Sequence, residues 1–343
     1  MLYDTLKALC RLSGVSGSES PVAAYIQKEI SPYVDQVSTD AMGNLIAHKK
    51  GNGAKVMFSA HMDEIGFIVN YIDEKGMIHF SPIGGINLRA ALYSRAALYS
   101  RVVFQSGVKG ILVSETGKAD DPKYATCYVD IGAYSQKEAE KRVSVGDTFH
   151  LVGDVQSLSS RVWAGRPLDD RVGCAILIEA AKALPKDVDN DLYFVFSSQE
   201  EVGCRGAKTA AFNIMPDFGF ALDVTATGDV PGANPMSVCQ GKGAAIKVKD
   251  SSLFCYPPLV AAMHKLAKEQ KIAHQTEVLP AGGTDASAIQ LAGAGAYAGG
   301  ISIPSRFIHT GVETVDRRDV MACVELTKAL ATADLFALCG ISK

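Results

Sequence analysis

The stretch LYFVFSSQEEVGCRGAKTAAFNIMPDFGFALD, residues 192–223, decides the fold class. It predicts a short apolar strand over 192–196, a helix over about 204–212 and a buried strand over 218–222. The same alternation continues on both sides of it, with predicted helices over 172–184, 258–271 and 317–338 and predicted strands over 274–279 and 298–303. Strands that alternate with helices of ten or more residues predict an α/β fold, in which helices cover the faces of a sheet.

Residues 66–157 have a different pattern, in which alternating strand-like segments are separated by glycines. We predict that this segment is a β-rich insertion into an α/β domain that comprises residues 1–65 and 158–343. Within the insertion, the hexapeptide RAALYS at 89–94 is repeated at 95–100. Two copies are too few for a repeat fold, so we predict a short duplication in a tolerant loop, with an interface helix as the alternative.

Composition and charge exclude several classes of protein. The chain has 343 residues, 48% hydrophobic and 21% charged, with a formal net charge of −3, so no basic field points to nucleic acid or an anionic membrane. No apolar stretch approaches the ~18 residues of a membrane-spanning helix, and the N-terminal residues lack the apolar region of a signal peptide. The eight cysteines form no CxxC motif. We therefore expect reduced thiols and a cytoplasmic location.

Five polar segments follow apolar strands or precede helices, where open α/β sheets carry their sites. The segments are HMDE at 61–64, LDDR at 168–171, SSQEEVG at 197–203, LDV at 222–224 and IHTG at 308–311. Each alone has an ordinary interpretation, such as a helix cap or a solvated face. Together they supply two histidines and three carboxylates, a donor set that suits zinc, cobalt or manganese. This set is too large for one catalytic zinc and predicts two metals that share a carboxylate and a water.

Glu200 and Glu201 are adjacent in a segment that we expect to be extended, so their side chains should point to opposite sides. One of them can then bind a metal while the other faces the water as a general base. The residue pattern by itself does not say which of the two has which role.

The segments HMDEIGF, LDDRVG, QEEVGCRGA, ALD, GGTDA and IPSRFIHT occur in the order and spacing of the tetrahedral (TET) aminopeptidases. The sequence thus resembles, over essentially its whole length, the glutamyl aminopeptidase family of co-catalytic metallopeptidases, some members of which are labelled endoglucanases. This resemblance implies a mixed sheet flanked by helices, as in phosphorylase/hydrolase-like zinc peptidase domains, and a small β-barrel-like dimerisation domain inserted at 66–157. It also implies dimers that assemble into a hollow dodecamer.

The resemblance also implies the metal ligands. His61 and Asp223 resemble the terminal ligands of one metal, and Glu201 and His309 resemble those of the other. Asp169 resembles the carboxylate that bridges the two metals. We therefore expect two divalent ions per subunit, zinc or cobalt, with manganese as a further candidate.

Further roles follow from the same resemblance. Glu200 resembles the general base, and Asp63 resembles the carboxylate that orients the imidazole of His61. The family usually has a cis peptide bond after the bridging aspartate, here to Asp170. A glycine-turn segment resembles the substrate side of the family's site and comprises Gly282, Gly283, Thr284 and Asp285. The pair at 166–167, Arg-Pro, departs from the family's usual Lys-Ala; it keeps a positive charge at Arg166, on a side chain of different geometry.

These assignments imply a metal-dependent aminopeptidase that removes N-terminal residues from peptides with a free N-terminus. Water would be activated between two divalent metals, with Glu200 as general base. Three alternatives remain: a di-metal carboxypeptidase or N-deacylase, a metal-independent glycosidase that uses Glu200 with another carboxylate, and a non-catalytic scaffold. The motifs do not determine which N-terminal residue is preferred.

Overall fold

The computed structural model describes residues 2–86, 88–92, 99–114 and 123–342. Its strands are β1 (Gln36–Thr39), β2 (Leu45–Lys49), β3 (Lys55–His61), β4 (Gly66–Ile72), β5 (Ile78–Ile83), β6 (Tyr99–Phe104), β7 (Lys109–Ser114), β8 (Cys127–Asp130), β9 (Thr148–Leu151), β10 (Gln156–Ser157), β11 (Val162–Gly165), β12 (Asp191–Ser197), β13 (Phe218–Thr225), β14 (Ala244–Lys249), β15 (His274–Val278), β16 (Tyr297–Arg306) and β17 (Glu313–Asp316). Its α-helices are α1 (Leu2–Cys10), α2 (Ser20–Ile30), α3 (Leu88–Ala91), α4 (Gln136–Ala139), α5 (Arg171–Ala183), α6 (Arg205–Ile214), α7 (Pro257–Glu269), α8 (Asp285–Gln290), α9 (Arg317–Thr332) and α10 (Leu335–Cys339). Residues 93–98, half of the two RAALYS copies at 89–100, lie outside the described residues, so the interpretation of the duplication stays a prediction.

The main sheet is mixed. Its strand order is β1-β2-β12-β3-β13-β16-β17-β11-β10, and β14 pairs with β16 and also with β15. The four central strands β12, β3, β13 and β16 run parallel, whereas β1, β2, β17, β11 and β10 pair antiparallel. The expected mixed sheet flanked by helices is confirmed.

Each face of the sheet is buried against helices, because alternate residues of a strand point to opposite faces. On one face, Phe58, Phe194 and Phe220 pack in a core that includes residues of α1, α2, α5, α7 and α9. On the other face, Met57 and Val195 pack against residues of α6 and α8. Helices therefore cover both faces of the central strands, and the positions of the ends of those strands are held by this packing.

A second, closed antiparallel barrel has the strand order β4-β5-β8-β7-β6-β9. Its core contains a cluster of four phenylalanines, Phe67, Phe80, Phe104 and Phe149, whose ring centroids lie 4.8–5.3 Å apart in the closest pairs. The expected inserted barrel is therefore present. The boundaries 66 and 157 and the role of this barrel in dimerisation stay predictions.

One predicted helix is divided in two. The sequence pattern over 317–338 predicts a single helix, but α9 ends at Thr332 and α10 begins at Leu335. Asp334 causes this break, because its side chain accepts a hydrogen bond from the backbone N–H of Ala337 and so caps a new helix. None of the helices in the described part of the chain combines the length and apolarity needed to cross a membrane.

Candidate metal centre

The predicted site residues meet at one edge of the main sheet. The central strands are parallel, so their carboxyl ends lie together there. His61 ends β3 and lies opposite Ser197, which ends β12, while Asp223 lies near the end of β13. Asp169 precedes α5, and His309 follows β16 in a left-handed backbone conformation with φ 60°.

Asp169 lies between two groups of potential ligands and directs one carboxylate oxygen to each. Its Oδ1 is 3.0 Å from Nε2 of His61, and that nitrogen is 3.8 Å from Oδ1 of Asp223. Its Oδ2 is 3.1 Å from Nε2 of His309, and that nitrogen is 3.2 Å from Oε1 of Glu201. The potential ligand atoms of each group lie within 4.8 Å of one another. The structure thus brings together all five residues that the sequence singled out as ligands.

Both imidazoles direct Nε2 toward carboxylates and Nδ1 toward a backbone carbonyl oxygen. Nδ1 of His61 is 3.0 Å from the backbone carbonyl oxygen of Asp63, and Nδ1 of His309 is 2.9 Å from that of Gly85. A hydrogen bond from Nδ1 to a carbonyl fixes the tautomer in which the Nε2 lone pair is available to a metal. Since the Nε2 atoms face the carboxylates of the two groups, the donor set fits two divalent cations.

The pKa shifts of Asp223, Glu201 and His309 also indicate that this site favours positive charge. Burial raises the pKa of Asp223 well above its ordinary value, and burial also raises the pKa of Glu201. Burial lowers the pKa of His309, but its contacts with Asp169 and Glu201 outweigh that effect and raise it to about 11. Carboxylates and imidazoles crowded together in this way favour bound cations, because divalent ions offset the desolvation of buried carboxylates.

Asp63 holds the backbone of the two glutamates. Its Oδ1 accepts a hydrogen bond from the N–H of Glu200 (2.9 Å), and its Oδ2 accepts one from the N–H of Glu201 (3.1 Å) and one from the hydroxyl of Ser16 (2.6 Å). The resemblance predicts that this carboxylate orients His61, but its Oδ1 is 3.5 Å from Nδ1 of His61, farther than the carbonyl oxygen of the same residue. The sequence pattern did not indicate the contacts with the glutamate backbone.

Glu200 and Glu201 diverge, although their segment is not extended. Glu201 lies in a turn that follows Gln199, whose φ is 56°. The side chain of Glu201 reaches His309, whereas Oε1 of Glu200 accepts a hydrogen bond from the thiol of Cys204 at 3.1 Å. Burial raises the pKa of Glu200 to about 8. Glu200 therefore lines the same cavity as the groups of His61 and His309 without belonging to either, and it lies instead in a third group of potential ligands with Cys204 and Asp285.

Glu313 supports the site, and the sequence analysis did not find it. Its Oε2 accepts hydrogen bonds from the N–H groups of Leu168 (2.6 Å) and Asp169 (3.0 Å), and its Oε1 accepts one from the N–H of His309 (3.1 Å). Burial, followed by the charge of Asp169, raises its pKa to about 7. The signal available in the sequence was a glutamate four residues after the candidate ligand His309.

The residues around Asp169 have clear structural roles. The peptide bond between Asp169 and Asp170 is cis, as the resemblance implies. Asp170 accepts hydrogen bonds from the N–H of Gly173 at the start of α5 and from the N–H of His61. The guanidinium of Arg166 donates to Oε2 of Glu64 at 3.2 Å and to a neighbouring carbonyl, so the cation that departs from the family's usual lysine is paired and buried.

The site opens into a cavity of about 490 Å³, and the glycine-turn segment forms part of its wall. Gly282 and Gly283 line this cavity. Thr284 and Asp285 are each only 2% exposed and lie behind the wall, where the hydroxyls of Ser59 and Ser197 donate hydrogen bonds to Asp285. The two glycines are therefore the members of this segment that a substrate can touch.

Replacing Asp63 with asparagine is expected to lower kcat/KM by about 10–100-fold, because Asp63 holds the backbone of Glu200 and Glu201 in the site. The new amide NH₂ would face a backbone N–H of Glu200 or Glu201 where an acceptor now lies. Steady-state kinetics at saturating metal would measure this loss. Ser16→Ala is the matched control, because it removes one hydrogen bond to the same carboxylate and should cost only about threefold. Equal kinetics for Asp63→Asn and the unmodified protein would contradict this role.

A family model described as M42 glutamyl aminopeptidase matches residues 43–326. The chain belongs to the M42 aminopeptidase family. It is therefore a hydrolase of the aminopeptidase class, and the resemblance inferred from the motifs is confirmed. The metal groups of this M42 aminopeptidase fit the metallopeptidase character of its family.

Relatives of the M42 aminopeptidase match it from end to end. A putative aminopeptidase of Acetivibrio thermocellus is 45% identical over 95% of this chain and 97% of its own length. A solved aminopeptidase of the archaeon Desulfurococcus kamchatkensis has a TM-score of 0.93 at 34% identity and covers 100% of this chain and 98% of its own. The TET1 peptidase of Pyrococcus horikoshii, which can assemble into a tetrahedron or a large octahedral shell, has a TM-score of 0.86 at 32% identity, with 96% and 99% covered.

Proposed function

We propose that this M42 aminopeptidase removes N-terminal residues from peptides by metal-assisted hydrolysis, with Glu200 as general base. The division of the two Asp169 oxygens between the group of His61 and the group of His309 carries this proposal. One carboxylate positioned in this way can bridge two metals, whereas a single catalytic zinc would need only about three protein ligands.

In this proposal each of the five candidate ligands contributes to one or both of the two metal sites. His61 and Asp223 would hold one divalent ion, Glu201 and His309 would hold the other, and Asp169 would be the ligand shared by both. The two ions, zinc or cobalt with manganese as a further candidate, would lower the pKa of a water and polarise the scissile carbonyl when bound.

Glu200 accepts the proton from water in the proposed reaction and passes it to the leaving amine. The thiol of Cys204 donates to its Oε1, which supports Oε2 as the atom that carries the proton. The hydrogen bond from the backbone N–H of Glu200 to Asp63 holds the main chain from which the Glu200 side chain reaches the cavity. The described lining of the cavity contains no lysine or arginine that could bind the C-terminal carboxylate of a substrate, which favours an aminopeptidase over the carboxypeptidase alternative.

The proposal also includes the oligomeric state, the partners and the location of the enzyme. We propose that the barrel at 66–157 is a dimerisation domain and that dimers assemble into a dodecamer, as the assembly of the Pyrococcus horikoshii relative suggests. Peptides would be its partners, with no nucleic acid or membrane involved. None of the eight cysteines, all of which lie in the described part of the chain, forms a disulfide bond, which agrees with the reducing cytoplasm that we propose as its location.

Hydrolysis of a panel of free and N-acetylated aminoacyl-p-nitroanilides tests the reaction class. The panel would be measured before chelation, after chelation, and after zinc or cobalt is added back. We expect cleavage of the free amines only, abolished by the chelator and restored by metal. Release of acetate from the acetylated compounds would favour an N-deacylase, and activity that survives chelation would contradict the metal mechanism.

A further inference from the structure

The cavity has two parts of different character. Among the described residues that line it, all the charged or imidazole side chains belong to the two metal groups or to Glu200. The rest of the lining is formed largely by apolar side chains and glycines, and the larger apolar side chains are those of Val224, Leu279 and Ile308. A substrate whose scissile bond lies at the metal groups would therefore place its neighbouring side chain against an apolar wall.

This apolar wall is held in a fixed position. The N–H of Leu279 donates to the carbonyl of Lys249 at 3.0 Å, and the N–H of Ser251 donates to the carbonyl of Gly282 at 3.1 Å. Both contacts tie the segment that carries the wall to the end of β14 and the residues after it. Val224 belongs to β13, in the middle of the sheet. A wall attached to two strands is suited to select by shape and polarity.

The one hydroxyl side chain among the described residues that line the cavity is already paired. The hydroxyl of Thr225, which lines the cavity, donates to Oε1 of Glu277 at 2.6 Å. The same oxygen accepts a hydrogen bond from Nζ of Lys247 at 2.7 Å, and Lys247 is only 1% exposed. The cation behind the wall is therefore neutralised by its own glutamate and does not attract an acidic substrate side chain.

We propose that this wall receives an uncharged aliphatic side chain of the substrate's N-terminal residue, such as leucine or methionine. This inference rests on the proposed aminopeptidase function and adds the substrate class. A glutamyl or lysyl side chain would have to lose its hydration against Val224, Leu279 and Ile308 without gaining an ion pair from them, and burial of an unpaired charge is costly. An aliphatic side chain gains from the same burial.

The first test ranks the unmodified protein on leucyl-, methionyl-, glutamyl- and lysyl-p-nitroanilide at saturating zinc or cobalt. We expect kcat/KM for leucine and methionine to exceed that for glutamate and lysine by at least about 100-fold, within the range of pocket-based discrimination. A preference for glutamate or lysine would overturn the inference and leave the aminopeptidase function intact. Failure to cleave any of the four in a metal-dependent manner would instead overturn the proposed function.

A charge placed in the wall provides the second test. Leu279→Arg should lower kcat/KM for leucine by at least about tenfold and raise it for glutamate by about tenfold, because a guanidinium pairs with a carboxylate. Val278→Arg is the matched control, since that side chain is exposed, precedes Leu279 directly and does not line the cavity. Its ranking of substrates should match that of the unmodified protein.

Equal shifts in the two arginine variants would contradict a role for Leu279 in selecting the substrate. Thermal melting of both variants would report whether they fold. If Leu279→Arg does not fold, Leu279→Ala replaces it, and we expect that variant to raise KM for leucine by about threefold or more with little change in kcat. An unchanged KM would overturn the assignment of the wall.

Discussion

Glu200→Gln is expected to lower kcat by about 10²–10⁴-fold, the usual contribution of a general base, while two metals per subunit remain bound. The substitution conserves shape. The amide oxygen can still accept the hydrogen bond from the Cys204 thiol, and the backbone N–H at 200 still reaches Asp63. What is lost is the carboxylate that can take a proton from water.

The neighbouring glutamate provides a matched comparison. Glu201→Gln makes the same chemical change one residue away, at a side chain whose Oε1 is 3.2 Å from Nε2 of His309. We expect it to lower metal content at one of the two groups, measured by elemental analysis of the purified protein. Loss of metal in Glu200→Gln with full occupancy in Glu201→Gln would reverse the proposed roles, and near-normal turnover in Glu200→Gln would exclude it as the base.

The sequence was informative wherever function depends on strand ends. His61 and Asp223 could be found because each follows or ends an apolar strand, and parallel strands bring their carboxyl ends to one edge. The spacing along the chain cannot supply the distances between them. The sequence analysis predicted that Glu200 and Glu201 diverge, but for the wrong reason. Their divergence results from a turn after Gln199 and not from an extended backbone.

The supporting residues were harder to predict because their partners are distant in sequence. The contacts of Asp63 with the backbone of Glu200 and Glu201 span 137 and 138 residues, and those of Glu313 with the chain at 168–169 span 145 and 144. The periodicity of residues along a strand or helix cannot indicate hydrogen bonds between residues so far apart in the sequence. The position of Leu279 at the cavity could not be predicted from the local sequence either, because it depends on how β15 pairs with β14.

The second large effect is expected at Asp169, because this residue is the member common to both metal groups. Asp169→Asn keeps the shape of the side chain but replaces one carboxylate oxygen with an NH₂ group, which would face Nε2 of His61 or His309. We expect both metals to be lost at micromolar free zinc or cobalt. Turnover should fall by at least about 10³-fold, since metals supply several kcal/mol of transition-state stabilisation.

Asp223→Asn is the control for this experiment, because Asp223 belongs to one group and should cost one metal. Elemental analysis gives the stoichiometry, and thermal melting gives a readout independent of activity. A metal that binds only the folded state raises the melting temperature, and the increase grows with the concentration of the metal relative to its dissociation constant. Added zinc should therefore stabilise the unmodified protein most, Asp223→Asn less and Asp169→Asn least. If Asp169→Asn loses a single metal while Asp223→Asn loses both, the shared ligand is not Asp169, and the two-metal arrangement would have to be built around Asp223.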